Sequence, residues 1–590
     1  MKKYMYITMI GCIISCLISC EKDLLQKPMG SDLNVDSIFS TREKAMSAIA
    51  QAYANTASAG IYLLNGGDDQ GKFNGMSHGT LGKISGELNA LKYNWEECYR
   101  MQRAGMNAGS GGGKAMSCDG YDFNYTSIRS CFLVMENIDK VEDMNQNEKD
   151  EVKAEMKALI AYRYGEMFKR YGGVSIIRNA LQLGDEVMIP RAPLQEVLDY
   201  IIELCDDAVK DLPSSWPDNM KGRATKGVAT AVKAEALIYA ARPLFNSSIA
   251  YLPIAEEHKN LICFGNESQT RWQDAINASE AVITWALANN HKIINTGNPL
   301  DDYGTAVATP NNAEVLFAYK RVDQYTDNSH YDPRREVGGA NGMSFWMLKQ
   351  YCNADGTEVD WPAPDNETRY PYAHYRERID RIEPRYKASA AGAGIDAWNN
   401  PGSSYWNSYT LGRASSWEGR DQTEACGRFV KLWYQAGNRT WFEFPIYRLA
   451  EFYLNLAEAY NETGNPAKAL ENLNVIRDRA GLPYITETDK ELLRKIIQRE
   501  WAVEFYGEDH QIFDMKHWKH EDIGNGIIGG PKYSLWYYYI EGRTWAEYDY
   551  HYTDYSVREV YTGFWSPKEF LCPFPLREVN KGYLVQNPGY

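Results

Sequence analysis

Past its first twenty residues the chain has no long apolar run, so nothing later in its 590 residues reaches the ~20-residue length of a membrane-spanning helix. Positive charge is in deficit: 63 Lys and Arg against 78 Asp and Glu leave a formal net charge of −15. That balance argues against nucleic acid and other polyanionic ligands through long-range repulsion, while leaving room for a local basic pocket. Cysteine is sparse and scattered. Besides Cys12, Cys16 and Cys20 there are Cys98, Cys118, Cys131, Cys205, Cys263, Cys352, Cys426 and Cys572, with no CxxC among them. Eight cysteines allow too many pairings to choose among; Cys98, Cys118 and Cys131 are near enough for one disulfide, and buried free thiols are the expectation for most. Phenylalanine is scarce beside the other rings, 18 against 42 Tyr and 16 Trp. Rings with polar handles suit surfaces where one edge is wet and one face stacks.

What is present begins at the N-terminal end. Lys2 and Lys3 precede an apolar run from Met5 to Leu17, and then Leu17-Ile18-Ser19-Cys20. The run is too short to span a bilayer. A small residue before cysteine at its end reads as a bacterial lipobox, which makes residues 1–19 a signal peptide and Cys20 a lipidation site. Residues 20–36 then form a polar tether. Several acyl chains on one cysteine anchor stably, since each buried CH₂ contributes ~0.8 kcal/mol. The alternative is an ordinary secretory signal with an incidental cysteine. Either way the protein is expected outside the cytoplasm.

Helical patterns dominate the rest. Thr41 is placed to cap a helix to about Ala57, and residues 60 to 120, rich in glycine, read as a long irregular excursion. Helices are predicted near Tyr125 to Val141 and from about Lys149 to Tyr171, the latter with Val152, Met156, Ile160, Tyr164, Met167 and Tyr171 on one stripe. Others follow Pro193 to about Asp211, run from Val228 to Ala241 behind Thr225, and from Trp272 to Ala288. From about Thr296 to Pro445 regularity fades, with short strand-like pieces such as Val315 to Tyr319. Helices return over Tyr447 to Tyr460, after Asn465-Pro466, and from about Lys490 to Tyr506; the last ~70 residues read as loops crowded with Tyr and Trp. Small residues such as Ala457 and Ala469 at the crossings make these pairs similar to tetratricopeptide hairpins. The predicted fold is mostly α: a tetratricopeptide-like scaffold of helix pairs carrying a large, irregular, loop-rich face.

Three short matches fail. Gly75-Met76-Ser77-His78-Gly79 fits G-x-S-x-G, but no apolar strand precedes it to hold Ser77 in a strained elbow. Around Gly109 to Lys114, Ala108 and Ala115 stand where a phosphate loop needs glycine and a hydroxyl. His510, Asp514, His517 and His520 are close in sequence, but HExxH is absent and the segment reads as an exposed, charged helix end. No metal site, cofactor or catalytic residue is assigned.

Several segments together resemble the SusD/RagB family of outer-membrane nutrient-binding lipoproteins of Bacteroidetes. They are the ending Pro573-Phe574-Pro575, Glu578 and Gln586-Asn587-Pro588-Gly589-Tyr590; Arg448-Leu449-Ala450-Glu451 with Tyr453-Leu454-Asn455 and Ala457-Glu458-Ala459; Leu473-Asn474, Ile476-Arg477 and Arg479-Ala480-Gly481-Leu482; and Gly222-Arg223-Ala224-Thr225-Lys226-Gly227 leading to Ala240 and Pro243-Leu244-Phe245-Asn246. Glu500, Glu504, Glu508, Asp514 and Trp518 fit as well, whereas Trp501, Gln511 and His517 stand where arginine is usual and are expected to weaken ion pairing between buried helices. The resemblance divides the mature chain into an N-terminal SusD-like helical part, 37–295, and a C-terminal RagB/SusD part, 296–590, packed as one globular unit.

The resemblance implies a protein that is not an enzyme. It would sit at the outer membrane by its lipid anchor, face the cell exterior, capture oligosaccharides and deliver them to a SusC-type TonB-dependent transporter. Sugar rings offer an apolar face and a rim of hydroxyls, which Trp or Tyr stacking and Asn, Asp, Gln or Arg side chains satisfy without metal or charge. The family's sites lie on the irregular face, which points to Tyr62, Asp68, Asp69, Tyr93, Asn94 and Trp95 in the first excursion, and to Arg321, Tyr325, Trp398, Tyr405, Trp406 and Trp417 in the middle stretch. Trp95 beside Asn94 is the leading platform. Tyr453, Tyr460 and Trp501 are read as core. The competing functions are a surface glycoside hydrolase, an esterase using Ser77, and a mainly structural or peptide-binding transporter lid.

Overall fold

The computed structural model describes residues 35–60, 81–89, 97–110, 121–321, 342–391, 426–429, 431, 442–539 and 552–590. Its first half is built from α1 (Arg42–Gly60), α2 (Leu81–Ser85), β1 (Leu88–Asn89), α3 (Glu97–Ala104), α4 (Tyr121–Asn137), α5 (Gln146–Tyr171), α6 (Leu194–Asp211), α7 (Lys226–Ala241) and α8 (Gln269–Ala288). Then come α9 (Pro299–Ala308), β2 (Val315–Arg321), β3 (Gly342–Met343), α10 (Phe345–Leu348), β4 (Tyr370–Pro371), α11 (Tyr372–Arg381), α12 (Pro384–Ser389), β5 (Ala390–Ala391), β6 (Arg428–Phe429) and β7 (Phe442–Arg448). The C-terminal part adds α13 (Leu449–Glu462), α14 (Pro466–Arg479), α15 (Lys490–Glu504), α16 (Gln511–Trp518), β8 (Gly530–Tyr539) and β9 (Tyr552–Gly563).

The predicted helix pairs form. α1 packs on α4, α4 on α5, α5 on α6 and α7, α7 on α8, α8 on α13, and α13 on α14 and α15, a continuous run of hairpins. Their ends have local causes. At the start of α5, Asn145 accepts from the Glu148 N–H while Glu148 reaches back to the Asn145 N–H, so two orphan donors are satisfied reciprocally. Asn465 caps α14 ahead of Pro466, and the Asp489 carboxylate caps α15. Thr225 stands at the N-cap of α7 but makes no side-chain cap bond. Ala457 and Ala469 are buried where α13 crosses α14. Gly227, in the first turn of α7, lies against the Trp285 ring of α8, and a Cβ there would sit 2.1 Å from it.

The family-like segments are structural. Arg223 stacks 4.1 Å over Trp216 and donates to Glu155, while Tyr53 Oη accepts from the Ala224 N–H. At the C-terminal end Phe574 packs on Tyr171 and Tyr121 under the Arg191 guanidinium, and the Asn587 amide donates to the carbonyls of Tyr171 and Cys572.

Several expectations are corrected. Within the presumed irregular excursion, α3 is a helix. The loop-rich ending contains a long antiparallel hairpin, β8 with β9, extended by β4. Many tyrosines fill cores instead of wet surfaces: Tyr351, Tyr375, Tyr386, Tyr506, Tyr537 and Tyr555 belong to one buried cluster. Tyr453 and Tyr460 are half-buried against the main core, and Trp501 is fully within it. Cys131, Cys205, Cys263, Cys352, Cys426 and Cys572 are buried free thiols, so Cys131 takes part in no disulfide. Among the described residues no helix is long and apolar enough to cross a membrane.

Candidate functional site

Every ligand-binding residue expected from the sequence falls outside the described side chains. Tyr62, Asp68, Asp69, Tyr93, Asn94, Trp95, Tyr325, Trp398, Tyr405, Trp406 and Trp417 lie outside the described residues, as do Ser77 and Cys20, and Arg321 is described only as the last backbone position of β2. What the structure does describe is where the chain segments carrying them are anchored.

Those anchors meet in a four-stranded sheet of two-residue strands, ordered β1-β3-β6-β5. Asn89 pairs with Gly342, Gly342 with Arg428, and Arg428 with Ala391. Asn89 is the last described residue before the segment bearing Tyr93, Asn94 and Trp95, Gly342 the first after the one bearing Tyr325, and Ala391 the last before the one bearing Trp398 and Trp406. With ~4.8 Å between neighbouring strands, this row is about 15 Å across. The β2–β7 pair is a separate two-stranded sheet that ends at the other side of the segment bearing Tyr325, where Arg321 pairs with Phe442. Strands this short hold by few backbone bonds, so the sheet is fixed from below and behind. Ser344 donates its hydroxyl to the Gly86 carbonyl, 2.6 Å, and its N–H to the Glu87 carbonyl. Tyr386 donates to the Cys426 carbonyl, 3.0 Å. Gly427 admits Ala390, whose Cβ would lie 2.8 Å from a Cβ at 427.

The floor beneath is a buried charge network. Arg448, at the β7–α13 junction, donates to Glu314 (3.0 Å), Glu504 (2.6 Å) and Glu508 (2.7 and 2.9 Å) and to the Glu504 carbonyl. Arg479 of α14 reaches Glu314 and Glu504; Arg385 of α12 reaches Glu383, Glu500 and Glu504; Arg477 reaches Glu500. Lys431, fully buried, donates to the carbonyls of Glu504 and Tyr506 and to Glu508. Burial alone would raise the Glu504 carboxyl, but the charges of Arg479, Arg448 and Arg385 hold it well below the usual range. Burial draws the Lys431 ammonium down to about 8 against the opposing pull of Glu508. Glu87, just before β1, accepts from the Gly507 N–H at 3.0 Å and from the Ser85 hydroxyl at 2.8 Å; burial nevertheless pushes it up to about 7.

The turn after α15, residues 505–510, therefore ties β1 through Glu87, the β6 segment through Lys431, and β7 through Arg448. Glu500, Glu504 and Glu508, which fit the family pattern, are all engaged by this network. From the sequence, ion pairing is expected to be weakened at Trp501, Gln511 and His517, without effect on ligand binding. The structure differs, because arginines arrive from other elements. Arg242 binds Glu458 and Asp514 and lies over the Trp501 and Trp518 rings. The segment read as an exposed charged end is the buried helix α16, in which burial draws His517 down to about 3 and its Nε2 lies 2.9 Å from the Lys169 carbonyl. Asp514 is engaged by Arg242 and Tyr239, and no metal-holding group of His, Cys, Asp and Glu occurs among the described residues.

Residues 302–590 match the family model described as "SusD family", and residues 65–237 match one described as "Starch-binding associating with outer membrane". The chain belongs to the SusD family. This SusD-like, carbohydrate-binding family accounts for the helix pairs and for the association with the outer membrane that the second description carries. A SusD-like protein of Formosa agariphila, P25, is 22% identical over 427 residues, covering 70% of this chain and 71% of that one. A solved SusD-like protein from Bacteroides fragilis superposes with a TM-score of 0.70 at 22% identity, over 94% of this chain and 98% of its own. A laminarin-binding SusD-like protein superposes with a TM-score of 0.54 at 15% identity, over 94% and 100%. At these identities the solved structures establish the fold.

Proposed function

We propose that this SusD-family protein is a lipid-anchored, cell-surface glycan-binding protein that captures oligosaccharides and passes them to a SusC-type TonB-dependent transporter. Its binding surface is formed by the segments bearing Tyr93, Asn94, Trp95, Arg321, Tyr325, Trp398 and Trp406, with Tyr62 and Asp68 beside them, and the parts 37–295 and 296–590 act as one unit. The observation that carries this reading is the single row Asn89, Gly342, Arg428 and Ala391, which gathers the ends of three such segments within about 15 Å, the span of a few sugar rings. The aromatic and amide content of these segments, the family's carbohydrate-binding character and the laminarin-binding neighbour support the same ligand class. Cys20 carries the acyl chains, and the protein turns nothing over.

The test is affinity electrophoresis and calorimetry of residues 21–590 on a polysaccharide panel, with Trp95→Ala alongside. Retardation by one neutral glycan is expected, and in Trp95→Ala calorimetry is expected to show one binding event weakened at least ~30-fold, the ~2 kcal/mol of a stacking hot spot. No retardation by any glycan, or a calorimetric isotherm unchanged in Trp95→Ala, would count against the ligand class or the platform respectively.

A further inference from the structure

A second cleft lies away from that row. It is bounded by α10, by the loop from Gln350 to Pro364, by α15, and by the turn from His520 to Tyr533, and it encloses about 1,130 Å³. Small-molecule sites occupy ~300–1,000 Å³, so this one has room for a chain of rings. Ser344, at its edge, directly follows β3, and none of Asn89, Gly342, Ala391 and Arg428 lines the cleft.

Its walls combine rigid rings with paired charges. Trp346 and Trp361 are half-buried, and each is backed by core. Phe345 meets Trp361 edge-on at 6.4 Å, and Tyr375 lies 6.3 Å behind it. Trp361 Nε1 is buried with no hydrogen-bond partner among the described residues, so a donor on this wall lacks an acceptor. Leu492 at the rim is 52% exposed. Across the cleft Lys495 pairs with Glu521 at 2.7 Å, and Arg499 pairs with Glu358 at 3.4 Å while donating to the Gln350 carbonyl. The opposite wall is set by Lys532, which is 3% exposed and has no ion-pair partner among the described residues. Its ammonium donates to the carbonyls of Gly526 (3.0 Å), Gly529 (3.1 Å) and Ile527, fixing the glycine-rich turn.

Resting on the glycan-binding reading above, we propose that this cleft is a second, independent site for a neutral oligosaccharide. Four cations, Lys349, Lys495, Arg499 and Lys532, line the cleft beside five carboxylates, Glu358, Asp360, Glu487, Glu521 and Asp522, so the walls carry little excess of one sign to recruit an anion or a cation. Stiffly backed indoles offer stacking faces at little ordering cost, and Gln350, Gln498 and Asn525 offer amides to a hydroxyl rim. A chain long enough to occupy both sites would be held by avidity without further contacts.

The experiment is calorimetric titration of residues 21–590 with neutral hexa- to octasaccharides of glucose, xylose and mannose, reading stoichiometry. Two equivalents are expected for the unmodified protein, and one, unchanged in affinity, for Trp95→Ala. Trp346→Leu is expected to weaken the other equivalent about tenfold or more. Asn525→Trp, at an exposed position, fills the cleft mouth without touching the core and should have the same effect if Trp346→Leu misfolds. A single equivalent that Trp95→Ala abolishes overturns the second site while leaving the first intact. Normal second-site binding in both cleft variants overturns it too. Binding of no saccharide by either site sinks the glycan reading itself, and displacement by peptides alone would reassign the cleft.

Discussion

The α7–α8 pair and the floor under the small sheet solve one problem, fixing buried elements, by opposite means. Between the helices the contact is apolar and close: α7 is rich in alanine, and Gly227 lets the Trp285 ring lie directly on its backbone. Under the sheet the contact is ionic: Arg385, Arg448, Arg479 and Lys431 share Glu314, Glu500, Glu504 and Glu508. Apolar packing stabilises strongly yet tolerates repacking. A buried ion network stabilises less than apolar groups of the same volume would, but leaving any member unpaired is costly, so one arrangement of donors and acceptors is favoured. The scaffold uses the first device. The second stands where two-residue strands must be held in register.

The sharpest way to break this contrast is Glu504→Gln, which leaves Arg385, Arg448 and Arg479 facing an uncharged side chain. A loss of about 3–5 kcal/mol in urea unfolding is expected, as for other broken buried pairs. A loss below ~1 kcal/mol would mean that the network is not the foundation of the sheet. Gly227→Ala tests the other device. Its Cβ must displace the Trp285 ring, an overpacking cost of about 1–3 kcal/mol, with glycan affinity unchanged in the folded protein.

Smallest is a pH effect at Glu87. Its carboxyl titrates at about 7 in the folded protein, against 4.5 ordinarily. Between those values the native state keeps a proton the unfolded chain has released, so stability falls as pH rises through that window. Glu87→Gln should remove about 1–2 kcal/mol of that decline, measured as the difference between unfolding curves at pH 4.5 and 7.5. His517, drawn down by burial, contributes the opposite slope to both proteins and cancels from the comparison.

The scaffold was legible because long helices repeat their signals. The stripe on α5, the Asn465-Pro466 start of α14 and the small residues at the α13–α14 crossing each have a sequence pattern. The sheet had none, since two-residue strands carry no alternation, and its partners are drawn from positions 88 to 429. The β8–β9 hairpin was hidden differently. Leu535 and Tyr537 face the core, but Trp536 and Tyr538 on the other face are aromatic too, covered by Arg558 and Arg369, so period two is masked. The segment from His510 to His520 looked exposed because it is polar, yet its charges are neutralised by partners distant in sequence, such as Arg242. For the site, residue types marked the segments, whereas their common anchorage required three-dimensional pairing.

That anchorage has an evolutionary consequence. Each of these segments starts or ends at a rung of backbone bonds on a separately secured floor, so the rungs themselves do not depend on how long a connection joins them. Doubling a flexible connection costs only about 0.6 kcal/mol in closure entropy. The sequence within 90–96, 322–341 and 392–425 can therefore change in length and composition while the rungs at Asn89, Gly342, Ala391 and Arg428 and the charge network beneath them are inherited unaltered.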